Sequence, residues 1–287
     1  MTTTDHGHLF PGKFFISTAL DALETKTSMA GQLARRYLQR AAMAGVLIGV
    51  FYATYYSVLA AFDQVAVGDQ SLHGVGRVAG SLAFGWALVF IYFSKSELLT
   101  SNMMIVSIGA YHKRVGWGQA MRLLGLCFLG NALGGLLMAV LFRFSTLLKG
   151  EVLVEMEHSV AAKLGYITAG PAGWGDLFVR AILCNLMINV AMLFVYNGFV
   201  RDDLTKSLTM IMAVFIFAFL GFEHSVANTV LFTIIGLIEG IDVGLATANV
   251  VIALIGNFVG GGLLIGLYYA YVNDDRKYLR KAEGVEA

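Results

Sequence analysis

The feature that most constrains this chain is a series of long apolar runs separated by short polar segments. About 20 apolar residues cross a bilayer as a helix, so the runs predict six membrane-spanning helices, at approximately 40–62, 77–111, 119–142, 177–197, 207–235 and 248–272. Composition agrees, because 57% of the 287 residues are hydrophobic and only 14% are charged, against roughly 25% charged residues in soluble domains. The sequence therefore predicts an all-α polytopic protein that lies in a lipid bilayer.

Charge and cysteine usage exclude several classes of protein. The formal net charge is +1 and there is no long basic tract, so no nucleic acid partner is expected. Cys127 and Cys184 lie inside apolar runs and lack the spacing of a metal or redox site. The sequence calls for neither a cofactor nor a metal ion.

Basic residues predict the orientation of the chain. Lys and Arg accumulate in short cytoplasmic loops, and here they concentrate in the N-terminal segment, the second and fourth connections and the C-terminal tail. We therefore expect a multi-pass protein of the cytoplasmic membrane with both termini in the cytoplasm. It divides into an N-terminal segment over 1–34, a six-helix channel domain over 35–273 and a tail over 274–287.

Two polar segments outside the runs are also expected to be structured. An amphipathic pattern within 12–34 predicts a helix that lies at the membrane interface, bridges subunits or is simply solvated. The longest connection, 144–176, predicts an ordered vestibule segment on the outer side, because long loops without a function are uncommon.

The second and fifth apolar runs are overlong and are interrupted by polar residues. The fifth contains the octet Gly221-Phe222-Glu223-His224-Ser225-Val226-Ala227-Asn228, and the second contains Ser94-Lys95-Ser96-Glu97. A Glu beside a His at membrane depth is costly unless both are buried against protein or water, so such a pair indicates a functional site. The alternative is that the octet is a loop between two short hydrophobic segments.

An internal repeat joins the two interruptions. Gly130-Asn131-Ala132-Leu133-Gly134-Gly135 in the third run matches Gly256-Asn257-Phe258-Val259-Gly260-Gly261 in the sixth. Chance similarity between two Gly-rich packing helices explains the glycines, but not the polar residues that share their offset. Each repeat holds three spans, an odd number, so the halves are predicted to be inverted, with a solute site at their interface near the bilayer midplane. The pairs at this offset, predicted to support the breaks, are Glu97 with Glu223 and Asn102 with Asn228.

His224 is the one histidine inside a predicted span. An imidazole has an ordinary pKa of about 6.5 and can exchange a proton near neutral pH. An anion in an apolar constriction costs tens of kcal/mol in the dry limit, whereas a neutral acid crosses far more cheaply. Protonation at His224 would therefore select small weak acids; the competing interpretation is a satisfied core histidine.

The other candidate residues each have two interpretations. Thr100 and Asn257 either orient the imidazole and bind the solute, or cap helices and bridge them by hydrogen bonds. Glu97 and Glu223 are expected to tie down helix ends or subunit contacts, because a carboxylate beside the path would repel an anion. Lys163 either draws anions into the outer mouth or is a solvated loop residue.

Large apolar residues flank the two breaks. Phe84, Leu88, Leu98 and Phe217 are candidates for constrictions above and below His224 that gate by excluding water. The alternative is ordinary packing, which is the usual role of such side chains in membrane helices.

These motifs resemble those of the formate/nitrite transporter family. The octet is similar to its Gly-Phe-Glu-His-Ser-(Ile/Val)-Ala-Asn signature, and three further stretches are similar to its motifs in the second, fourth and sixth spans. The three are Ser96-Glu97-Leu98-Leu99-Thr100-Ser101-Asn102, Leu183-Cys184-Asn185-Leu186 and Gly256-Asn257-Phe258-Val259-Gly260-Gly261. The resemblance extends over residues 30–275.

The resemblance implies an aquaporin-like six-helix fold, assembled as a homopentamer with one pore for small monovalent anions in each protomer. Matched by motif, His224 resembles the family's central histidine, Thr100 its hydrogen-bonding partner and Asn257 the polar residue of the sixth span. The other matched positions are the constriction residues Phe84, Leu88, Leu98 and Phe217, the outer-mouth lysine Lys163, and Leu99, where many formate members have Phe.

The sequence and the resemblance together predict a channel or proton-coupled carrier for formate or nitrite, and not an enzyme; hydrosulfide and lactate-type anions are alternatives. A neutral-solute pore of aquaporin type would need Asn-Pro-Ala at its half-helix ends, yet the only prolines, Pro11 and Pro171, lie outside every predicted span. An intramembrane hydrolase using Ser225 with His224 is disfavoured, because adjacent helical residues do not face each other and no hydrolase motif is present.

Overall fold

The computed structural model describes residues 9–68, 70–276 and 278, most of which are helical. Residues 1–8 of the predicted N-terminal segment and most of the predicted tail lie outside the described residues. In chain order the elements are α1 (Lys13–Gln32), α2 (Ala34–Asp63), β1 (Ala66–Val67), β2 (Gln70–Ser71), α3 (His73–Phe93), α4 (Leu99–Tyr111), α5 (Trp117–Arg143), α6 (Glu151–Thr168), α7 (Gly170–Tyr196), α8 (Asp203–Leu220), α9 (Ser225–Ile238), α10 (Val243–Asn257), a π-helical segment (Phe258–Leu267) and α11 (Tyr268–Val272).

Among the residues that the structure describes, six helical stretches are long and apolar enough to cross a membrane, which confirms the predicted number of spans. The second and fifth predicted runs are each divided into two helices, α3 with α4 and α8 with α9. The polar interruptions are therefore breaks within spans, as predicted. The six stretches are Ala34–Asp63, His73–Phe93, Trp117–Arg143, Gly170–Tyr196, Asp203–Leu220 and Val243–Val272.

The repeated glycines bring helices into backbone contact. A Cβ added to Gly134 on α5 would lie 1.8 Å from the carbonyl oxygen of Ala42 on α2. A Cβ added to Gly260 would lie 2.1 Å from the carbonyl oxygen of Ile182 on α7. Small residues permit such close approach in membrane helices, so the repeated motif sets two equivalent helix contacts, one in each half of the chain.

Helix α1 packs on the bundle instead of standing free in solvent. Phe15, Ala19 and Leu23 on one of its faces are buried, and a Cβ added to Gly109 on α4 would meet the Leu23 side chain at 2.0 Å. The interpretation of 12–34 as a solvated terminal helix is therefore wrong. Whether α1 also bridges subunits stays a prediction.

The long connection 144–176 is ordered, because most of it forms α6. Met156 and Val160 on α6 are buried, and the Tyr56 hydroxyl on α2 donates a hydrogen bond to Ser159 Oγ at 2.7 Å. The following span, α7, begins at Gly170, several residues before the predicted start, because the helix continues through the polar Gly-Trp-Gly-Asp stretch after Pro171. Pro at the first turn of a helix is well tolerated.

Candidate functional site: the two helix breaks and the chamber between them

The second break, residues 221–224, ends one helix and starts another within four residues. Gly221 has φ +67°, and the Phe222 N–H donates to the carbonyl oxygen of Phe217 at 2.9 Å, which closes α8 in the manner of a Schellman cap. His224 then caps α9, because its Nδ1 accepts the Ala227 N–H at 3.1 Å. The histidine is thus fixed by the start of the helix that follows it.

The first break, residues 94–98, has the same backbone turn without the glycine. Lys95 has φ +56°, and the Ser96 N–H donates to the carbonyl oxygen of Ile91 at 3.0 Å. A left-handed conformation costs a non-glycine residue roughly 1–2 kcal/mol, so tertiary contacts must hold this turn. One of them is the hydrogen bond from Arg40 Nε to the Lys95 carbonyl oxygen, 2.7 Å.

Asn131 fixes the start of α4 to two other parts of the chain. Its Oδ1 accepts the Leu99 N–H at 3.1 Å. Its Nδ2 donates to the carbonyl oxygens of Ala41 and Glu97, both at 2.8 Å. One buried amide therefore satisfies two main-chain groups of the break and adds a hydrogen bond to α2.

Asn257, at the matching position of the repeat, makes the same three contacts at the second break. Its Oδ1 accepts the Ser225 N–H at 2.8 Å, and its Nδ2 donates to the carbonyl oxygens of Ala181 and Glu223 at 2.8 and 3.0 Å. The side chain is fully occupied by backbone groups. These contacts support the capping and bridging interpretation of Asn257, and its role toward the solute stays a prediction. The repeat extends to individual hydrogen bonds, and the inverted orientation of the halves also stays a prediction.

The two break glutamates are buried and paired with lysines. Lys26 on α1 forms an ion pair with Glu97, and Lys163 on α6 forms one with Glu223 at 2.9 Å. The side chains of Glu97 and Glu223 are 4% and 3% exposed. Lys163 is therefore not a solvated loop residue, since it lies on α6 with its charge matched by a carboxylate of the break.

A buried asparagine completes each glutamate pair. Asn102 Nδ2 donates to Glu97 Oε2 at 3.1 Å, and Asn228 Nδ2 donates to Glu223 Oε2 at 2.5 Å. Both asparagines are fully buried. All four predicted break-supporting residues thus meet in two equivalent clusters, which stabilise buried charge by pairing and hydrogen bonding.

Several residues that hold the site escaped the sequence analysis as site residues, among them Arg40, Asn131 and three more. Lys26 is one, because nothing in its amphipathic segment indicates Glu97 as a partner. The others are Asn185, whose Nδ2 donates to the carbonyl oxygens of Thr100 and Asn257 at 3.2 and 2.7 Å, and Asn189, whose Nδ2 reaches Thr100 O at 3.3 Å. A buried amide within an apolar run is the signal that could have found both.

The two breaks meet at His224 and Thr100. Thr100 Oγ1 lies 3.1 Å from His224 Nε2, and both residues are buried. Because Nδ1 accepts a backbone N–H, Nε2 carries the proton of the neutral ring and donates to the Thr100 hydroxyl. Thr100 is the second residue of α4 and His224 caps α9, so two helix N-termini, which favour negative charge, converge on this pair.

His224 faces a small apolar chamber of about 20 Å³. A site needs roughly 10–15 Å³ on this measure to hold one water molecule, so the chamber has room for about one. All four predicted constriction residues line it, and His224 is the one polar side chain among the lining residues that the structure describes. The lining is Ile48, Phe84, Ala87, Leu88, Ile91, Leu98, Ile188, Val214, Phe217, His224 and Ala227.

The constriction residues close the chamber from two directions. Phe84 and Phe217 pack edge to face with ring centroids 6.1 Å apart, and the Phe217 ring lies 6.0 Å from the His224 ring. On the other side Leu88 and Leu98 separate the chamber from a second cavity. The predicted juxtaposition of these four residues with His224 is therefore present in the structure.

The second cavity, which we call the vestibule, has a volume of about 160 Å³ and adjoins the first break. Three cationic side chains and one carboxylate line it, so its charge balance is positive. They are Lys26, Arg40, Lys95 and Glu97. A cationic vestibule that opens onto an apolar chamber with a central hydrogen-bond donor can attract an anion and then strip its water.

The fold and the site define an integral membrane protein of the channel or transporter class. Its helices span the membrane, two half-helices converge on His224, and a path that is closed here leads from the charged vestibule to this polar centre. Comparison with known sequences is consistent with this class. The profile of the formate/nitrite transporter family matches residues 15–271. The chain belongs to that family.

Three curated relatives show how far the similarity extends. The uncharacterized transporter YwcJ of Bacillus subtilis is 28% identical over 244 residues, which cover 84% of this chain and 90% of YwcJ. The formate channel FocA of Escherichia coli K12 is 28% identical over 250 residues, covering 79% and 82% of the two chains. The nitrite transporter NirC of Salmonella typhimurium is 28% identical over 233 residues, 80% of each chain. All three are named as channels or transporters, and the prediction that this chain is not an enzyme is confirmed.

Two solved structures share the fold. An FNT family ion channel superposes with a TM-score of 0.77 at 22% identity, over 91% of this chain and 99% of its own. A pentameric formate channel with formate bound superposes with a TM-score of 0.66 at 20% identity, over 84% and 98% of the two chains. The predicted fold class is thereby confirmed.

Proposed function

We propose that this protein conducts small monovalent anions of weak acids, formate or nitrite, across the cytoplasmic membrane. The observation that carries the proposal is the hydrogen bond of His224 Nε2 with Thr100 Oγ1, 3.1 Å, at the point where two helix N-termini converge, with His224 facing the apolar chamber. Support for the substrate class comes from the relatives, which include a formate channel and a nitrite transporter.

The vestibule is proposed to concentrate anions on the cytoplasmic side. Basic residues predict cytoplasmic termini, and the vestibule contains Lys26 from the N-terminal α1. Its positive balance raises the local anion concentration. The ion pair of Lys26 with Glu97 offsets part of this positive charge, and the remaining cationic side chains of the vestibule are Arg40 and Lys95.

The apolar chamber selects by charge and by size. A bare anion would lose its hydration between Leu88, Leu98, Phe84 and Phe217 without compensation, which is prohibitive in the dry limit. A protonated formic or nitrous acid is neutral and avoids this cost. Because the chamber has room for about one water molecule, the surrounding Leu and Phe side chains must move apart to admit the acid. Passage therefore requires a hydrogen-bond donor and a proton at the centre, and His224 with Thr100 supplies both.

Proton exchange at His224 costs the hydrogen bond by which the histidine caps α9. A second proton on the ring must go to Nδ1, which at present accepts the Ala227 N–H. Protonation would remove that cap, and loss of an N-cap costs about 0.5–2 kcal/mol. We propose that the ring takes up a proton from the aqueous phase only transiently and passes one proton to the anion, with the Thr100 hydroxyl as its hydrogen-bonding partner. The ring thereby returns to the neutral form in which Nδ1 accepts the Ala227 N–H, and the anion leaves as the neutral acid.

The assembly is proposed to be a homopentamer with one pore in each protomer. The solved relative with formate bound is pentameric. Many large apolar side chains are exposed on the single chain, among them Trp86, Phe90 and Leu208, and lipid or neighbouring subunits must cover them. The path described here lies within one protomer, so each protomer would transport by itself.

Transport is tested with purified protein in proteoliposomes. Labelled formate and nitrite uptake should exceed that of protein-free vesicles, with hydrosulfide and lactate as comparison anions. His224→Ala should reduce uptake, whereas His158→Ala, at an exposed position on α6, should not. If no anion moves above the vesicle background across a range of pH, the proposal is wrong; if hydrosulfide or lactate moves and formate and nitrite do not, the substrate assignment is wrong.

A further inference from the structure

We propose that Asp63, His73 and Glu155 bind a divalent transition-metal ion, with Zn²⁺ as the representative species. One ligand atom from each residue lies within 4.8 Å of the other two. Three separate elements supply them: the last residue of α2, the first residue of α3 and the second turn of α6. The cluster is at the aqueous end of the spans and is not part of the path through the chamber.

The geometry is close to that of a metal site. Ligands on tetrahedral zinc at roughly 2.0–2.2 Å from the ion are separated from one another by about 3.4 Å. His73 Nδ1 already lies 3.3 Å from Asp63 Oδ1. Glu155 completes the set after a movement of about 1.5 Å or less, which rotation of its partly exposed side chain can supply.

The charge of the cluster calls for a cation. Two carboxylates face one imidazole, and among the residues that the structure describes no Lys or Arg forms an ion pair with either carboxylate. A protonated His73 would balance only one of the two negative charges. A divalent ion would balance both while leaving the imidazole neutral, which is the form that binds metals.

Neighbouring groups orient two of the ligands. Ser71 Oγ donates to Asp63 Oδ1 at 2.7 Å, and the His73 N–H donates to Ser71 Oγ at 3.0 Å. The Ser71 hydroxyl thus links the end of α2 to the start of α3. The side chains of Asp63 and His73 are 39% and 41% exposed, so an ion can enter from solvent and water can occupy its remaining positions.

The donor set identifies the class of metal. Imidazole with carboxylates suits zinc and its transition-metal neighbours, whereas Mg²⁺ and Ca²⁺ prefer oxygen ligands alone. The ion would join α6 to the ends of α2 and α3, close to the existing contact between Tyr56 and Ser159. The expected consequence is tighter docking of α6, the helix that carries Lys163.

Isothermal titration of the full-length protein with ZnCl₂ tests this proposal. The protein is purified without a polyhistidine tag, and His6 and His8 are both replaced by Ala to remove other imidazoles at the N-terminus. One Zn²⁺ should bind per chain, with MgCl₂ at the same concentration giving no comparable heat. His73→Ala and Glu155→Gln should each weaken Zn²⁺ binding by about tenfold or more, while His158→Ala, on the same helix but outside the cluster, should bind like the parent.

Thermal unfolding provides a second readout that separates a metal site from a simple ion pair. ZnCl₂ should raise the melting temperature of the parent over its value in EDTA, and this increase should disappear in His73→Ala. If the parent binds no Zn²⁺, or if His73→Ala binds it as well as the parent, the proposal is overturned. If His73→Ala lowers the melting temperature equally with ZnCl₂ and with EDTA, the cluster is an ion pair only and the proposal is likewise overturned.

Discussion

Replacing Asn257 with Asp tests whether one buried amide holds the second break. The two side chains have nearly the same shape, so the packing of the site should be preserved. Oδ1 can still accept the Ser225 N–H, but the atom that donated to the carbonyl oxygens of Ala181 and Glu223, at 2.8 and 3.0 Å, becomes an acceptor. Two hydrogen bonds are replaced by two contacts between oxygen atoms.

The size of the effect follows from these two contacts. A buried polar group left without its partner costs about 1–3 kcal/mol, and Asn257 is fully buried. The Glu223 carbonyl in the break loses its partner, at about 1–3 kcal/mol, whereas Ala181 lies inside α7 and loses one additional hydrogen bond of about 0.5–1.5 kcal/mol, which together give about 1.5–4.5 kcal/mol. If the new carboxyl group stays ionised, its repulsion by the two carbonyl oxygens places the loss toward the upper end of this interval.

The assay is thermal unfolding of the detergent-solubilised protein, combined with anion uptake in proteoliposomes. Asn257→Asp should lower the melting temperature and also reduce uptake, because the break carries His224. Asn197→Asp is the matched control, since Asn197 uses its Oδ1 to accept the Phe199 N–H at 2.9 Å in an accessible turn and an Asp retains that bond. If Asn257→Asp unfolds at the same temperature as the parent and transports at the same rate, the assignment of Asn257 to the break is incorrect.

Three further substitutions test other parts of the account. Thr100→Val keeps the shape but removes the partner of the histidine ring; loss of one hydrogen bond of about 0.5–1.5 kcal/mol should reduce anion flux up to about tenfold, with little change in melting temperature. Lys163→Met leaves the Glu223 carboxylate buried without its cation, which should cost about 3–5 kcal/mol in thermal unfolding, and Glu223→Gln in the same chain should restore part of it. Gly134→Ala places a Cβ 1.8 Å from a carbonyl oxygen of α2, whereas Gly125→Ala on the same helix meets nothing within 4 Å, so only the first should impair folding, as measured by the yield of correctly assembled protein.

The number of spans and the interrupted spans could be predicted because they depend on local composition. An apolar run of about 20 residues predicts a spanning helix. A Glu beside a His within such a run is costly unless both are buried against protein or water, so the pair indicates an interruption. The Gly-Asn motif also predicted where helices approach, because Gly134 and Gly260 permit contacts that any side chain would block. These features are encoded within one or two turns of the residues concerned.

The lysine partners of the break glutamates could not be predicted, because they come from distant parts of the chain. Lys26 and Glu97 are 71 residues apart in sequence, and Lys163 lies in a connection whose helix has few buried residues. The position of Asn257 was predicted, yet its contacts favour the interpretation as a bridge over that as a solute ligand. The π-helical segment was not expected either, since its glycine-rich sequence also fits an ordinary packing helix.

The most direct test of the central claim measures formate and protons together. Proteoliposomes that contain a trapped pH indicator are given labelled formate, and protein-free vesicles supply the background. If His224 exchanges a proton with the anion, the parent should acidify the lumen by about one proton per formate taken up, and His224→Asn, which cannot carry the proton, should lose this coupling along with most of its flux. Uptake by His224→Asn at the parent rate, with the same ratio of protons to formate, would contradict the account.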